Sequence, residues 1–163
     1  MLEKGKAYLL VSHSDNELCS NVKELAQNYE SVLIVSRCPD DCRKKNTNYR
    51  QIWLTELDTT LEHIKPQNIE QICYEIEKFI VANKGRGNLV VIEGIEYLIS
   101  YNAFKEIFHI LNRLRDSALI NNSILVVAIG NDTIPSHEEN MLKQEFCTLS
   151  NKVKNPHNKI LEV

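Results

Sequence analysis

Five short apolar runs are spaced along the chain: AYLLVS (Ala7 to Ser12), SVLIVSR (Ser31 to Arg37), QIWLT (Gln51 to Thr55), LVVI opening at Leu89, and SILVVAIG (Ser123 to Gly130). Unbroken runs of this kind, rich in β-branched residues, predict strands buried on both faces of a sheet. The segments between them change period. Leu18, Val22, Leu25 and Tyr29 recur at helical spacing, as do Ile69, Ile72, Cys73, Ile76, Phe79 and Ile80, and then Phe104, Ile107, Phe108, Leu111 and Leu114. Strands alternating with amphipathic helices give a doubly wound α/β fold: a mainly parallel sheet of about five strands, flanked by helices and joined by right-handed crossovers.

Local signals place the ends of these elements. Ser14 and Glu17 form an S-x-x-E capping box for the first helix, and Ser136 and Glu139 a second one for a final helix through Met141, Leu142 and Phe146. Pro66 suits a first helical turn, and KGRGN (Lys84 to Asn88) a helix stop and turn before the next strand. Asn102 is placed to cap the helix from Phe104, with Arg113, Arg115 and Asp116 marking its polar side and end. Trp53 is expected to anchor the third strand in the core. The connection CPDDCRKKNTNY from Cys38 to Tyr49 is polar, and the tail from about residue 150 ends in ILEV, suited to an edge strand. The whole of 1–163 reads as a single α/β domain.

In a parallel sheet ligands gather at the carboxyl ends of the strands. That rim collects Ser12, His13, Ser36, Arg37, Thr55, Glu93, Glu96, Gly130 and Asp132. The candidate ligand-binding set is His13, Ser36, Arg37, Glu93, Glu96 and Asp132. The junction after the first strand reads SHSDNELC, with no glycine or lysine. A phosphate loop needs glycines so that backbone N–H groups wrap the phosphates, and a lysine to reach the terminal ones. Here Ser14 caps the helix itself and acidic residues follow, an arrangement that repels phosphate. Ser14 is read as a cap rather than a nucleophile. His13 is either a partly exposed rim residue or an acid or base.

Composition narrows the function classes. Lys and Arg total 19 against 22 Asp and Glu, a formal net charge of -3, which argues against a nucleic-acid surface. The apolar run in MLEKGKAYLLVS is too short for a signal peptide, and no later stretch reaches membrane length, so a cytoplasmic protein without membrane association is expected. Five scattered cysteines do not make a disulfide framework and are read as reduced thiols. Cys38 and Cys42, with His137, Cys147 or His157, have the chemistry of a zinc site, but an isolated C-x-x-x-C pair is seldom one; no metal and no cofactor are expected.

LVVIEGIEYLISYNAF, with IKPQNIEQI, VLIVSRCPD and WLT, resembles the archaeal domain of unknown function 835 family from about Gly5 to Glu145. Glu93-Gly94-Ile95-Glu96-Tyr97-Leu98 with Asn102 and Phe104 carries the likeness; the family pattern has aspartate where this chain has Glu93. The resemblance implies a RecA-like or KaiC-like module without a phosphate loop, found alone or attached to signalling proteins.

Two readings of function follow. The first is a non-catalytic regulatory or signalling module acting on a protein partner, with a second copy of the chain (a homodimer) as the first candidate. In it Glu96 and Tyr97 are structural, bonding the rim loop or Arg37. The second is a nucleotide or small-anion binder using the rim by a non-P-loop mode, with Arg37, His13 and the basic residues Arg43, Lys44 and Lys45 supplying charge. A hydrolase on His13, Glu93 and Glu96 lacks a nucleophile or metal at suitable spacing, and no catalytic residue is assigned.

Overall fold

The structure, a computed structural model, describes residues 2–38, 49–150 and 161–162. The elements in chain order are β1 (Ala7–Ser12), α1 (Asp15–Ala26), β2 (Ser31–Ser36), β3 (Tyr49–Leu54), β4 (His63–Ile64), α2 (Ile69–Ala82) and β5 (Asn88–Glu93). Then follow α3 (Ile95–Ile99), α4 (Phe104–Asn121), β6 (Ile124–Gly130), α5 (Ser136–Glu145), β7 (Cys147–Ser150) and β8 (Leu161–Glu162). They form one sheet in the order β4-β3-β2-β5-β6-β1-β7-β8. The first seven strands are parallel and β8 pairs antiparallel with β7.

The expected class holds, with more strands than the five expected. β4 has two residues and no apolar run to announce it. The last helix was expected to run through Phe146 and no strand was expected after it, but α5 stops at Glu145 and Phe146 is extended, so Cys147 to Ser150 pair beside β1. The central strands are buried on both sides. Side chains of Leu9, Leu33, Val90, Leu125 and Val127 face α2, α3, α4 and α5, whereas Leu10, Val32, Ile34, Val91 and Val126 lie on the side of α1. Alternate residues of one strand thus enter two separate cores. The helices cover the faces unequally, with α1 the one described helix on its side.

Several local expectations are corrected. Pro66 lies before α2, in a turn closed by the Asn68 N–H on the Lys65 carbonyl at 2.9 Å; its fixed φ suits that turn. Trp53 is half-buried and faces away from the core that holds its neighbours Ile52 and Leu54. Ser136 is the first residue of α5 rather than its cap, and Glu139 Oε2 meets Lys143 at 3.1 Å instead of completing a box. Asn102 does not cap α4, which starts after Ala103. Its amide donates to the carbonyls of Leu98 and Pro66, both at 2.9 Å, tying the end of α3 to the approach to α2. Helix α4 runs past Asp116 to Asn121, ending in a left-handed Asn122 that suits a helix stop.

Two ionic groups brace this side. Arg50 of β3 holds Glu62 and, at 2.8 Å, Glu75 of α2. Arg113 of α4 reaches Glu77 of α2 at 2.8 Å, and the buried Cys73 thiol donates to that same carboxylate at 3.1 Å. Burial, with Glu77 beside it, pushes the Cys73 thiol up to about 12.

Candidate functional site

The carboxyl ends of the parallel strands form one rim, as expected of this topology. At its middle, β5 delivers Glu93 and turns at once into α3. Gly94 makes that turn with φ 91°, a conformation that costs glycine nothing and other residues about 1 kcal/mol or more. Ile95 and Leu98 fix the short helix in the core at 0% and 4% exposure, which leaves Glu96 and Tyr97 at the rim. Neighbours on a helix diverge by about 100°, so the two side chains serve opposite flanks.

Glu96 serves the β6 flank. One carboxylate oxygen, Oε2, accepts the Gly130 N–H at 2.9 Å and lies 2.9 Å from Thr133 Oγ1. Thr133 Oγ1 is also 2.7 Å from the Gly130 carbonyl, closing the loop on itself. A Cβ on Gly130 would come within 2.6 Å of Thr133 Cγ2, so this close approach needs glycine. The Asn131 N–H then donates to the Ser12 carbonyl at 2.7 Å, joining the loop to β1.

Tyr97 serves the β2 flank. The Arg37 guanidinium lies over its ring, 3.8 Å from the centroid, and Nη1 donates to the Leu54 carbonyl of β3. Trp53 Nε1 donates to the Arg37 carbonyl at 3.1 Å. Tyr101 packs edge-on against Tyr97 with centroids 5.1 Å apart, and its phenol is pushed above the usual tyrosine range by the Tyr97 hydroxyl and Glu56, against an opposing pull from Arg37.

The other rim residues stand apart from these groups. Ser36 is fully buried and engaged locally, accepting Gln51 Nε2 at 3.2 Å and lying 3.3 Å from the Cys38 carbonyl. His13 is exposed; its backbone N–H donates to Glu17 Oε2 at 3.3 Å. Ser14 caps α1 as expected, accepting the Glu17 N–H at 3.2 Å. Asp132 is exposed with φ 57° and accepts Asn131 Nδ2 at 3.2 Å. Glu93 is half-buried at the end of β5, opposite Ala128 of β6. The rim therefore brings Arg37 to Tyr97 and Glu96 to Gly130; His13 and Asp132 bond to neither pair. Thr133 escaped the sequence reading. Its signal was the turn chemistry of Gly130-Asn131-Asp132, which returns the fourth residue to the first.

Among the described residues no three His, Cys, Asp or Glu side chains gather into a metal-binding set. Cys38 and Cys147 are exposed, while Cys42, His157 and the basic residues Arg43, Lys44 and Lys45 lie outside the described residues. No described helix is long and apolar enough to cross a membrane.

The family described as Protein of unknown function (DUF835) matches residues 11–146. The chain belongs to this family. The matched span of DUF835 runs from the end of β1 to the end of α5 and includes the Glu93-to-Phe104 stretch. No curated protein matches the chain. Among solved structures, a KaiC-like protein from the hyperthermophilic archaeon Pyrococcus horikoshii OT3 superposes with a TM-score of 0.60 at 13% identity, over 96% of this chain and 76% of that one. A second protein of the same organism gives 0.59 at 12% identity, over 99% of this chain and 94% of that one. The flagellar accessory protein FlaH from Methanocaldococcus jannaschii gives 0.57 at 9%, over 98% and 76%. At these identities the likeness is one of fold, and this DUF835 chain has the KaiC-like, RecA-like α/β architecture.

Proposed function

We propose that the chain is a non-catalytic regulatory or signalling module that acts through a protein partner. The observation that carries this reading is the engagement of Glu96. A carboxylate that activates water must face a substrate, whereas this one holds the Gly130 amide and the Thr133 hydroxyl of its own rim. The β1–α1 junction supports the same reading, because Ser14 spends its side chain on the helix start where a phosphate would sit. Without glycines or lysine there, a triphosphate loses several charge-assisted bonds worth roughly 1.5 to 3 kcal/mol each.

A second reading, a nucleotide or small anion bound at the rim by another mode, draws on Arg37, an exposed residue with no carboxylate partner among the described residues. Melting temperature with ATP, GTP and cyclic nucleotides, each with and without magnesium, separates the two. A ligand at a hundred times its dissociation constant adds about 2.7 kcal/mol, or roughly 5 to 11 °C for a chain of this size. The module reading expects no shift. A shift of that size overturns it.

A further inference from the structure

Arg37 is held without being neutralised. The Tyr97 face and the Leu54 carbonyl fix the guanidinium plane, and among the described residues it has no other hydrogen bond or ion pair. Because Nη1 is the nitrogen given to Leu54, the edge formed by Nε and Nη2 carries no bond to any described residue. That edge carries two parallel N–H donors, the fork that a carboxylate matches with its two oxygens. An exposed arginine ordinarily loses side-chain entropy when it binds; here the stacking and the carbonyl bond have already removed most of that freedom.

The surroundings favour a polypeptide over a free anion. Tyr101 is 42% exposed beside Tyr97. An arginine seated on one tyrosine with a second, exposed tyrosine beside it has the composition of an interface anchor, in which the aromatic surface supplies contact area and the charge supplies register. Phosphate recognition would call for backbone N–H groups converging on the same point. At this rim the Gly130 amide is already taken by Glu96.

We infer that Arg37, Tyr97 and Tyr101 form a docking site for an acidic segment of a protein partner. An Asp or Glu of that segment pairs bidentately with Nε and Nη2 of Arg37, and an adjacent apolar side chain covers Tyr101. This rests on the protein-module reading and adds the chemistry of the partner.

The test is an array of hexapeptides, each with one Asp or Glu beside Leu or Phe, probed with the full chain and compared with the Asn or Gln versions of the same peptides. The tightest binder is then measured by fluorescence anisotropy. Acid-to-amide exchange in the peptide, which leaves the protein untouched, is expected to weaken binding about 10- to 100-fold. Arg37→Gln should do the same, Arg37→Lys should weaken it less, and Arg37→Glu should switch preference to peptides carrying Lys at the acidic position. Equal binding of acid and amide peptides, absence of binding by any peptide, or an Arg37 Nε–H resonance that answers to inorganic phosphate or AMP but not to peptide overturns the proposal. If it falls while nucleotides leave the melting temperature unchanged, the module reading stands with its surface elsewhere; a nucleotide-induced shift removes the reading itself.

Discussion

The carboxylate of Glu96 holds the amide of Gly130 at 2.9 Å, so the acid that follows the central strand fastens the neighbouring strand's exit loop. Removing it strands the Gly130 backbone donor, while the Thr133 hydroxyl keeps the Gly130 carbonyl as its acceptor. Glu96→Ala is expected to cost about 1 to 3 kcal/mol, a fall in melting temperature of roughly 2 to 12 °C, and Glu96→Gln, which keeps an acceptor, less than half of that. Thermal denaturation of the two variants checks it. An unchanged midpoint in Glu96→Ala would return the acid to the pool of functional groups.

Gly130 and Thr133 are predicted to behave as a coupled pair. Gly130→Ala drives a methyl group against Thr133 Cγ2 at 2.6 Å and should destabilise by about 1 to 3 kcal/mol, the usual cost of overpacking. Thr133→Ser keeps the hydroxyl and removes the obstructing methyl. In the double variant the alanine penalty should shrink by at least about half, which chemical denaturation of the four proteins measures as a coupling energy.

Gly94→Ala places a side chain at φ 91° and a Cβ 3.1 Å from Arg37 Cγ. The backbone term alone is about 1 to 2 kcal/mol. A specific second effect is expected: Arg37 loses its seat over Tyr97, visible as a change in the Arg37 Nε–H resonance. A loss of stability with that resonance unmoved would show that the contact had relaxed elsewhere.

Cys73 sets a pH dependence. Its thiol is raised in the folded protein to about 12, from an ordinary value of 9.0. The folded state therefore holds this proton where the unfolded state has released it, and stability falls as pH rises above about 9, by up to about 1.4 kcal/mol per pH unit. Below that pH the contribution is fully present. Cys73→Ala removes the effect, so the difference between wild type and variant in urea midpoints at pH 8 and pH 10 reads it directly. In the native protein at neutral pH, Cys73 should also resist thiol reagents that label the exposed Cys147.

Where burial dictated the residue type, the sequence was readable. The four continuous runs in β1, β2, β5 and β6 fall where the pattern put them, because a strand covered on both faces is apolar through its middle and keeps polar residues to its ends. Strand β3 was found as well, but Trp53 was misplaced: period two puts it opposite Ile52 and Leu54, and its indole N–H is needed at the Arg37 carbonyl. Strands β4 and β7 are short, and their pairing depends on neighbours distant in sequence, so no local pattern marks them. At the rim, the capping role of Ser14 was legible from spacing, and the missing phosphate loop suggested that Glu96 and Tyr97 bond the rim loop or Arg37, contacts that the structure contains. That Glu96 chose Gly130 and Thr133, or that Asn102 left its helix to hold Pro66, depends on loop approach that one-dimensional spacing does not encode.

Strand β1 is first in the chain yet lies between β6 and β7, which are the sixth and seventh to be made. During synthesis Tyr8 and Leu10 must wait, unpaired and apolar, until residues 124–130 and 147–150 have left the ribosome. Contacts of such sequence separation close slowly, and a chain halted after β5 carries a sticky N-terminal segment with no strand to receive it. A segment open to misassembly thus ends up buried between two neighbours, and the burden of protecting a newborn chain falls on β1.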